Sequence, residues 1–440
     1  MDGARRHVDV GAGPSPQKTP EHRPSMRGIH ALLSRSAVAQ GLFSLVNLGL
    51  SVFVLMTASK VDFGRYTLVL AAVVFFVAIA SSLIYLQLPM WRRGGHNQAC
   101  YFATLYRLLM HVAWALAAAV AVFAGIAMVL GWLGPRAASL TCIGGLLTLA
   151  YVRAEFIKQM LYVLEDVAAV VRVNLRLALG VGSGCGATLL SGTDEVLFSV
   201  LLIFSLGLWL CVAGKGAEQL KSCPPGRLRD MAARVWRPGR WALMNALFVW
   251  LPSQGYLYLL GAVAGLGTVA EVGAARNVVA PLQVLATSFQ QVVLPRLATL
   301  GDDAIRRVNR IRHDVLRTLL LIFSGYVLLL YLLQPMAVDY LLAERGYAAF
   351  ERYVGLWVLV TTTTVYRSNL AVIYQALNRY DLIARLGLAY AIAASLLFAV
   401  MIPFWGGSGA LLGLALAEGV FVILLRSRLR AEQRLTAWEW

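Results

Sequence analysis

A few cations stand inside long apolar stretches of this sequence, namely Arg153, Arg276, Arg367 and the pair Arg172 and Arg176. A charge in a bilayer is costly, so each one is a functional candidate. The chemistry open to such residues is anion binding, because a guanidinium presents a planar fork that matches phosphate. Arg367 is the sharpest case. It lies roughly 24 Å in from the outer end of its apolar run at 1.5 Å per residue, and no carboxylate stands one turn away on that run. It reads either as a phosphate contact or as an arginine that ties helices together or snorkels to the headgroups.

Arg153 shares a run with Glu155 and Lys158. The latter two, three apart, can meet on one helix face, which leaves Arg153 un-neutralised. Arg172 and Arg176, four apart, face one way and form either a basic vestibule near the cytoplasmic side or the ends of helices that project beyond the membrane. Arg35 opens the first apolar run, while Arg65 and Arg276 take equivalent places at the outer ends of the second and eighth. Amides at Gln40, Asn47, Asn245, Gln254, Asn277, Gln283 and Gln290 could hydrogen-bond sugar hydroxyls or join helices to one another.

Covalent chemistry finds no support. No GxSxG, HExxH or P-loop spacing falls on a suitable turn. The six histidines are scattered, and His111 reads as a helix residue. Five cysteines show neither metal spacing nor a pairing pattern, so reduced, apolar thiols are expected, with no metal and no cofactor. The sequence predicts a chain that is not an enzyme.

The elements that must position these residues follow from composition. Of 440 residues, 59% are hydrophobic and 14% charged; a soluble domain needs more polar surface than that. The net charge of +17 sits in short loops between apolar runs, as in membrane proteins, and so does not indicate a nucleic-acid partner. Runs of ~20 apolar residues, enough to span, occur at twelve places: about 34–57, 66–89, 106–132, 138–160, 167–190, 196–214, 241–262, 275–295, 316–338, 352–376, 381–403 and 408–426. Alternate connections are rich in arginine and lysine, as at Arg92 and Arg93, Lys215 to Arg237, Arg296 to Arg312 and Arg426 to Arg434. The others are poor: Lys60 and Arg65, Arg136, Asp194 and Glu195, and the uncharged Gly406-Gly407-Ser408-Gly409. Both termini are therefore expected in the cytoplasm, with no large outer domain.

The halves resemble each other at an offset a little over 200. Asp62-Phe63-Gly64-Arg65-Tyr66 with Gln87-Leu88-Pro89 corresponds to Glu271-Val272-Gly273 with Gln291 to Pro295, and Arg153 with Tyr162 corresponds to Arg367 with Tyr374. Six spans per half is an even number, so the repeat is parallel, about an axis along the membrane normal. The expected fold class is all-α integral membrane, about twelve transmembrane helices in two six-helix lobes related by a parallel pseudo-twofold repeat. The expected divisions are a disordered cytoplasmic tail (1–30), an N-terminal lobe (31–215), a cytoplasmic linker (216–240), a C-terminal lobe (241–427) and a cytoplasmic tail (428–440).

With Ser36-Ala37-Val38-Ala39-Gln40, Asn47, Phe63-Gly64-Arg65-Tyr66-Thr67-Leu68, Leu88-Pro89, Leu294-Pro295 and Tyr374-Gln375-Ala376-Leu377, the chain resembles the Wzx-type oligosaccharide flippases. These form the polysaccharide-transport branch of the multidrug/oligosaccharidyl-lipid/polysaccharide exporter superfamily. The resemblance covers most of the chain after residue 30. It implies alternating access in the bacterial inner membrane and a substrate of oligosaccharide on polyprenyl pyrophosphate, with membrane lipid and other polysaccharide-assembly proteins as partners. Because spans one, two, seven and eight face the cleft in that superfamily, it adds weight to Arg35, Gln40, Asn47, Arg276 and Asn277 as substrate contacts beside Arg367, Arg153, Arg172 and Arg176. Two other functions stand beside it. A drug or cation antiporter of the same superfamily would want an embedded carboxylate, for which Glu155 and Glu418 are the candidates. A membrane glycan polymerase or ligase would want a large outer loop.

Overall fold

The computed structural model describes residues 26–85, 87–88, 98–193, 195–214, 228–298, 316–318, 320–332, 346–376 and 380–437. Each of the twelve expected spans falls on helix, and no strand occurs among the described residues. The helices are α1 (Met26–Thr57), α2 (Lys60–Leu83), α3 (Gln98–Val129), α4 (Pro135–Val163), α5 (Val167–Ser191), α6 (Val196–Cys211), α7 (Leu228–Trp250), α8 (Tyr256–Ala298), α9 (Leu316–Leu332), α10 (Phe350–Ala376) and α11 (Tyr380–Ala437). A π-helical turn, Leu251–Gly255, joins α7 to α8. Helix α7 thus begins at Leu228, inside the stretch expected to be linker. Residues 1–25 and 438–440 of the expected tails, the Arg92 and Lys221 loops, and the Pro89 and Leu377 ends of the resemblance motifs lie outside the described residues, while residues 26–30 and 428–437 of those tails are helical.

Among the described residues, seven stretches are long and apolar enough to cross a membrane. Two of these, at 239–283 and 382–429, run 45 and 48 residues, too long for one crossing of a ~30 Å core at 1.5 Å per residue. Both double back at glycine. Gly265 has φ 83° and Gly406 has φ 52°, a region costly for any residue with a Cβ. Beyond Gly406 the returning arm brings Gly413 against Phe398, so the expected outer turn at 406–409 is a tight reversal. Local signals start other helices. Ser59 caps α2, its hydroxyl accepting from the Asp62 amide at 3.1 Å, and the Asp166 carboxylate accepts from the Ala169 amide at 2.9 Å to start α5.

The first six helices pack mainly on one another, α1 on α5, α3 on α4 and α6 on both α4 and α5, while α10 packs on α8 and α11. Apolar side chains also cover the outside: Leu190 is 91% exposed and Phe404 78%. Such surface suits hydrocarbon rather than water.

The lobes meet where α2 crosses α7 and α8. The repeat motifs meet there too. A Cβ on Gly64 would stand 2.2 Å from the Leu266 carbonyl oxygen, and one on Gly273 would stand 2.9 Å from the Thr67 hydroxyl. The two repeat-related glycines therefore let the backbones of α2 and α8 approach, as small residues do at membrane helix crossings. The Tyr258 hydroxyl donates to Leu68 O at 2.8 Å and the Trp250 indole to Ala71 O at 3.2 Å. At the α1–α2 end the Lys60 ammonium pairs with the Glu271 carboxylate across the seam and donates to Gly346 O at 2.6 Å. Glu271 also accepts from the Ala349 amide at 3.1 Å.

One expectation fails outright: Cys100 is disulfide-bonded, whereas Cys142, Cys185 and Cys211 are free.

Candidate functional site

Arg276 lies one turn beyond the crossing glycine Gly273 and turns into the C-terminal lobe. Its guanidinium donates to the Gln254 side-chain oxygen at 2.9 Å and lies 5.5 Å from the centre of the Trp357 ring. Gln254 is buried and belongs to the π-helical turn that contains Pro252. Proline removes one backbone donor, the ladder widens to the i→i+5 spacing, and such turns often mark functional sites. Among the described residues no carboxylate forms an ion pair with Arg276.

Several buried polar atoms of the C-terminal lobe are incompletely bonded. The buried hydroxyl of Tyr256, within electrostatic reach of Arg276, has no hydrogen-bond partner among the described residues, and neither do Thr361 Oγ1, Asn245 Oδ1 and Asn369 Oδ1. Thr361 lies one turn beyond Trp357 on α10 and is fully buried. A buried polar atom left unpaired costs about 1–3 kcal/mol. Each such atom in this lobe is one that water or a polar ligand can complete. Asn277, the next residue after Arg276, is half-buried.

Arg367 is placed differently from its expectation. A carboxylate does reach it, from the last span rather than from its own helix: Arg367 Nε donates to Glu418 at 2.5 Å, and the Tyr390 hydroxyl donates to the other carboxylate oxygen at 2.9 Å. The rings of Tyr390 and Phe421 flank the guanidinium at 5.8 and 5.5 Å. Glu418 is 51 residues away in sequence, so a search one turn along the same helix could not find it. The signal available was the isolated acid itself, since an embedded carboxylate and an embedded arginine without neighbours are each other's natural partners.

In the N-terminal lobe the expected Glu155–Lys158 pair forms at 2.6 Å, with Lys158 also over the Phe43 ring. Arg153 is left without a carboxylate, as expected, but it is not idle. Its guanidinium donates to Trp209 O at 2.8 Å and to the Tyr106 hydroxyl at 3.2 Å, and it stacks 4.2 Å from the centre of the Trp209 ring. Trp209 lies in the last turn of α6, so Arg153 satisfies a carbonyl at the negative end of that helix.

The other candidates do not converge on this point. Arg172 and Arg176 are exposed on α5, and Gln40 is exposed on α1. Asn47 is half-buried and donates to Phe43 O of its own helix at 3.1 Å. Arg35 falls on α1, with its side chain outside the described residues. Arg65, the repeat counterpart of Arg276, pairs with Asp62 at 2.8 Å, and Asp62 and Glu195 are both within reach of Arg136. Sequence reasoning ranked Gln254 among the amides and passed over Tyr256, Trp357 and Thr361, whose polar atoms matter only once three helices meet.

No family model matches the sequence, and no curated protein matches it. Solved structures do resemble the fold. The lipid II flippase MurJ in an inward closed conformation aligns with a TM-score of 0.64 at 11% identity, over 90% of this chain and 87% of that one. The eukaryotic MATE transporter AtDTX14 aligns at 0.65 and 13% identity, over 91% and 95%. A transporter of the MOP superfamily from Pyrococcus furiosus, reported with a binding pocket of reverse polarity that suggests a different function, aligns at 0.63 and 12% identity, over 94% and 96%. The chain therefore has the two-lobed fold of these membrane proteins.

Proposed function

We propose that this chain is a flippase that carries oligosaccharide linked to polyprenyl pyrophosphate across the bacterial inner membrane for polysaccharide assembly. Both termini would lie in the cytoplasm, with access alternating between the two sides. The observation that carries the reading is Arg276. An arginine held by a neutral amide and an aromatic ring keeps its charge for an incoming anion, and the unpaired Tyr256 hydroxyl within its electrostatic reach can donate to phosphate or sugar oxygens. Pairing by a carboxylate would have spent that charge, as it does at Arg367.

The fold supports the reading in two ways. MurJ, one of its likenesses, is a lipid II flippase, so this architecture accommodates a headgroup with a lipid tail. The Pyrococcus furiosus protein, with its pocket of reverse polarity, is a precedent for one fold presenting pockets of different charge. In this reading the Lys60–Glu271 pair and the Gly64 and Gly273 crossing close the outer end of the seam and must part when the cargo leaves.

The test is lipid analysis of a strain carrying Arg276→Gln in place of the wild-type gene. Complete repeat units should accumulate on their polyprenyl carrier in the inner leaflet while surface polymer disappears. Normal delivery of repeat units to the outer leaflet by a well-inserted variant overturns the assignment.

An observation on the other side favours a drug or cation antiporter. Glu418 is an almost fully buried carboxylate in the last span, bonded to a tyrosine hydroxyl, and embedded acids commonly couple transport to ions. That reading requires drug efflux driven by a proton or sodium gradient and abolished by Glu418→Gln with Arg367 retained.

A further inference from the structure

An apolar groove runs along the seam between the lobes, away from Arg276. It consists of two adjoining cavities of about 300 and 260 Å³ that share Phe76, Ala113, Leu116 and Thr148 as lining. One wall is α2, α3 and α4 of the N-terminal lobe; the other is α7 and the start of α8, through Val235, Trp236 and Tyr258. Along α2 the lining extends from Leu68 to Ile84, about 24 Å at 1.5 Å per residue, most of the ~30 Å depth of a hydrocarbon core.

The groove asks for nothing polar along its length. Its hydrogen-bonding side chains are already satisfied: Thr141 bonds Ala137 O, Thr148 bonds Gly144 O and Tyr258 bonds Leu68 O, each at 2.8 Å. Water would find no partners there, and an empty slot would forfeit dispersion contacts along two helices. A narrow apolar slot that is long and runs alongside α2 suits a hydrocarbon chain.

The α7 end of the groove is different in kind. Trp236 stands at the mouth, half exposed, as aromatic residues do at headgroup level. Arg234 and Arg240 are both exposed on the same stretch of α7, Arg234 within electrostatic reach of Tyr101 at the start of α3. Asp230, a turn earlier, is the acid among the described residues of this stretch. The mouth is therefore net basic, and basic pockets between helices at a membrane surface select anionic headgroups.

We infer that this groove seats an acyl chain of an anionic phospholipid of the bilayer, with its phosphate at Arg234 and Arg240. The site is separate from the Arg276 cargo site and independent of what the protein transports. Because one wall belongs to each lobe, the bound chain touches both and must be re-seated whenever the lobes rock.

The test uses the full-length protein, delipidated in detergent and offered phosphatidylglycerol, phosphatidylcholine or polyprenyl phosphate, with bound lipid counted by native mass spectrometry. The wild type should retain one phosphatidylglycerol with about tenfold preference over phosphatidylcholine. Arg234→Gln with Arg240→Gln should remove the preference, and Ala113→Leu should lower occupancy by any phospholipid several-fold. A melting temperature within a few degrees of wild type shows that the variant is folded. If Ala113→Leu fails to fold, Val112→Trp, at the lipid-facing lip, serves for the same measurement. Equal retention of both phospholipids, or unchanged occupancy in a folded groove variant, overturns the inference. So does displacement of phosphatidylglycerol by an equimolar amount of polyprenyl phosphate, which would make the groove a seat for the cargo tail.

Discussion

The two lobes treat their embedded charges in opposite ways. In the N-terminal lobe two interior cations are answered, Lys158 by Glu155 three residues away and Arg153 by the carboxyl-terminal carbonyl and ring of Trp209, 56 residues away. The Asn174 amide there leaves its Oδ1 unpaired, although its nitrogen still donates to Ala39 O at 2.8 Å. In the C-terminal lobe one arginine, Arg367, is fully answered by Glu418 and Tyr390, whereas Arg276 receives a neutral amide. The unpaired atoms of Asn245, Tyr256, Thr361 and Asn369 lie on that side as well. The described residues thus leave more unpaired polar atoms in the C-terminal lobe, and under the proposed function these are the ones that a passing cargo would meet.

The harshest way to break this comparison is to remove a counter-ion. Glu418→Ala leaves Arg367 buried with no carboxylate, a loss on the order of 3–5 kcal/mol. It should collapse the yield of folded protein, measured by size-exclusion profile and thermal melting in detergent. Arg367→Met combined with Glu418→Met should recover most of it. The equivalent cut in the N-terminal lobe, Glu155→Ala, should cost less, because Glu155 is the more exposed acid, 18% against 4% for Glu418, and Lys158 keeps the Phe43 ring. Equal losses in both lobes would mean that the C-terminal pair is no more deeply committed than its counterpart.

Next in size is the crossover between function and stability. Arg276→Gln should lower transport at least tenfold and shift the melting temperature little, since only one neutral hydrogen bond and a ring contact are lost. Arg153→Gln should do the reverse: about 1–3 kcal/mol less stable, through the loss of a charged hydrogen bond to a buried carbonyl, with transport per folded molecule retained. Transport in proteoliposomes alongside thermal melts separates the two. Finding both variants inactive but stable would erase the distinction between scaffold and site.

How much of this was legible beforehand depends on the range of the interaction. Helix positions, the Glu155–Lys158 pair and the two lobes are written in local periodicity and in a repeat, so the sequence announces them. The repeat even pointed to Gly64 and Gly273, although not to the fact that they pack across the seam on α8 and α2. Arg367 with Glu418 and Arg276 with Gln254 depend on which helices become neighbours. No spacing along a single helix encodes that. Arg172 and Arg176 satisfied the i, i+4 rule and still face outward, because that rule says which residues share a face and not what the face meets.

The seam itself offers a finer test, since it joins the two lobes. Lys60 and Glu271 are its one charged pair among the described residues, Glu271 being held by the Ala349 amide as well. If the lobes move as two bodies, this end must open in every cycle. Cysteines at 60 and 271, oxidised to a disulfide, should then block transport, and reduction should restore it. The exchanged pair Lys60→Glu with Glu271→Lys should keep partial activity, because the Coulomb attraction survives while the bonds to Gly346 O and the Ala349 amide do not. A cross-linked protein that transports at the reduced rate would place the moving parts elsewhere and leave the α2–α8 crossing a fixed hinge.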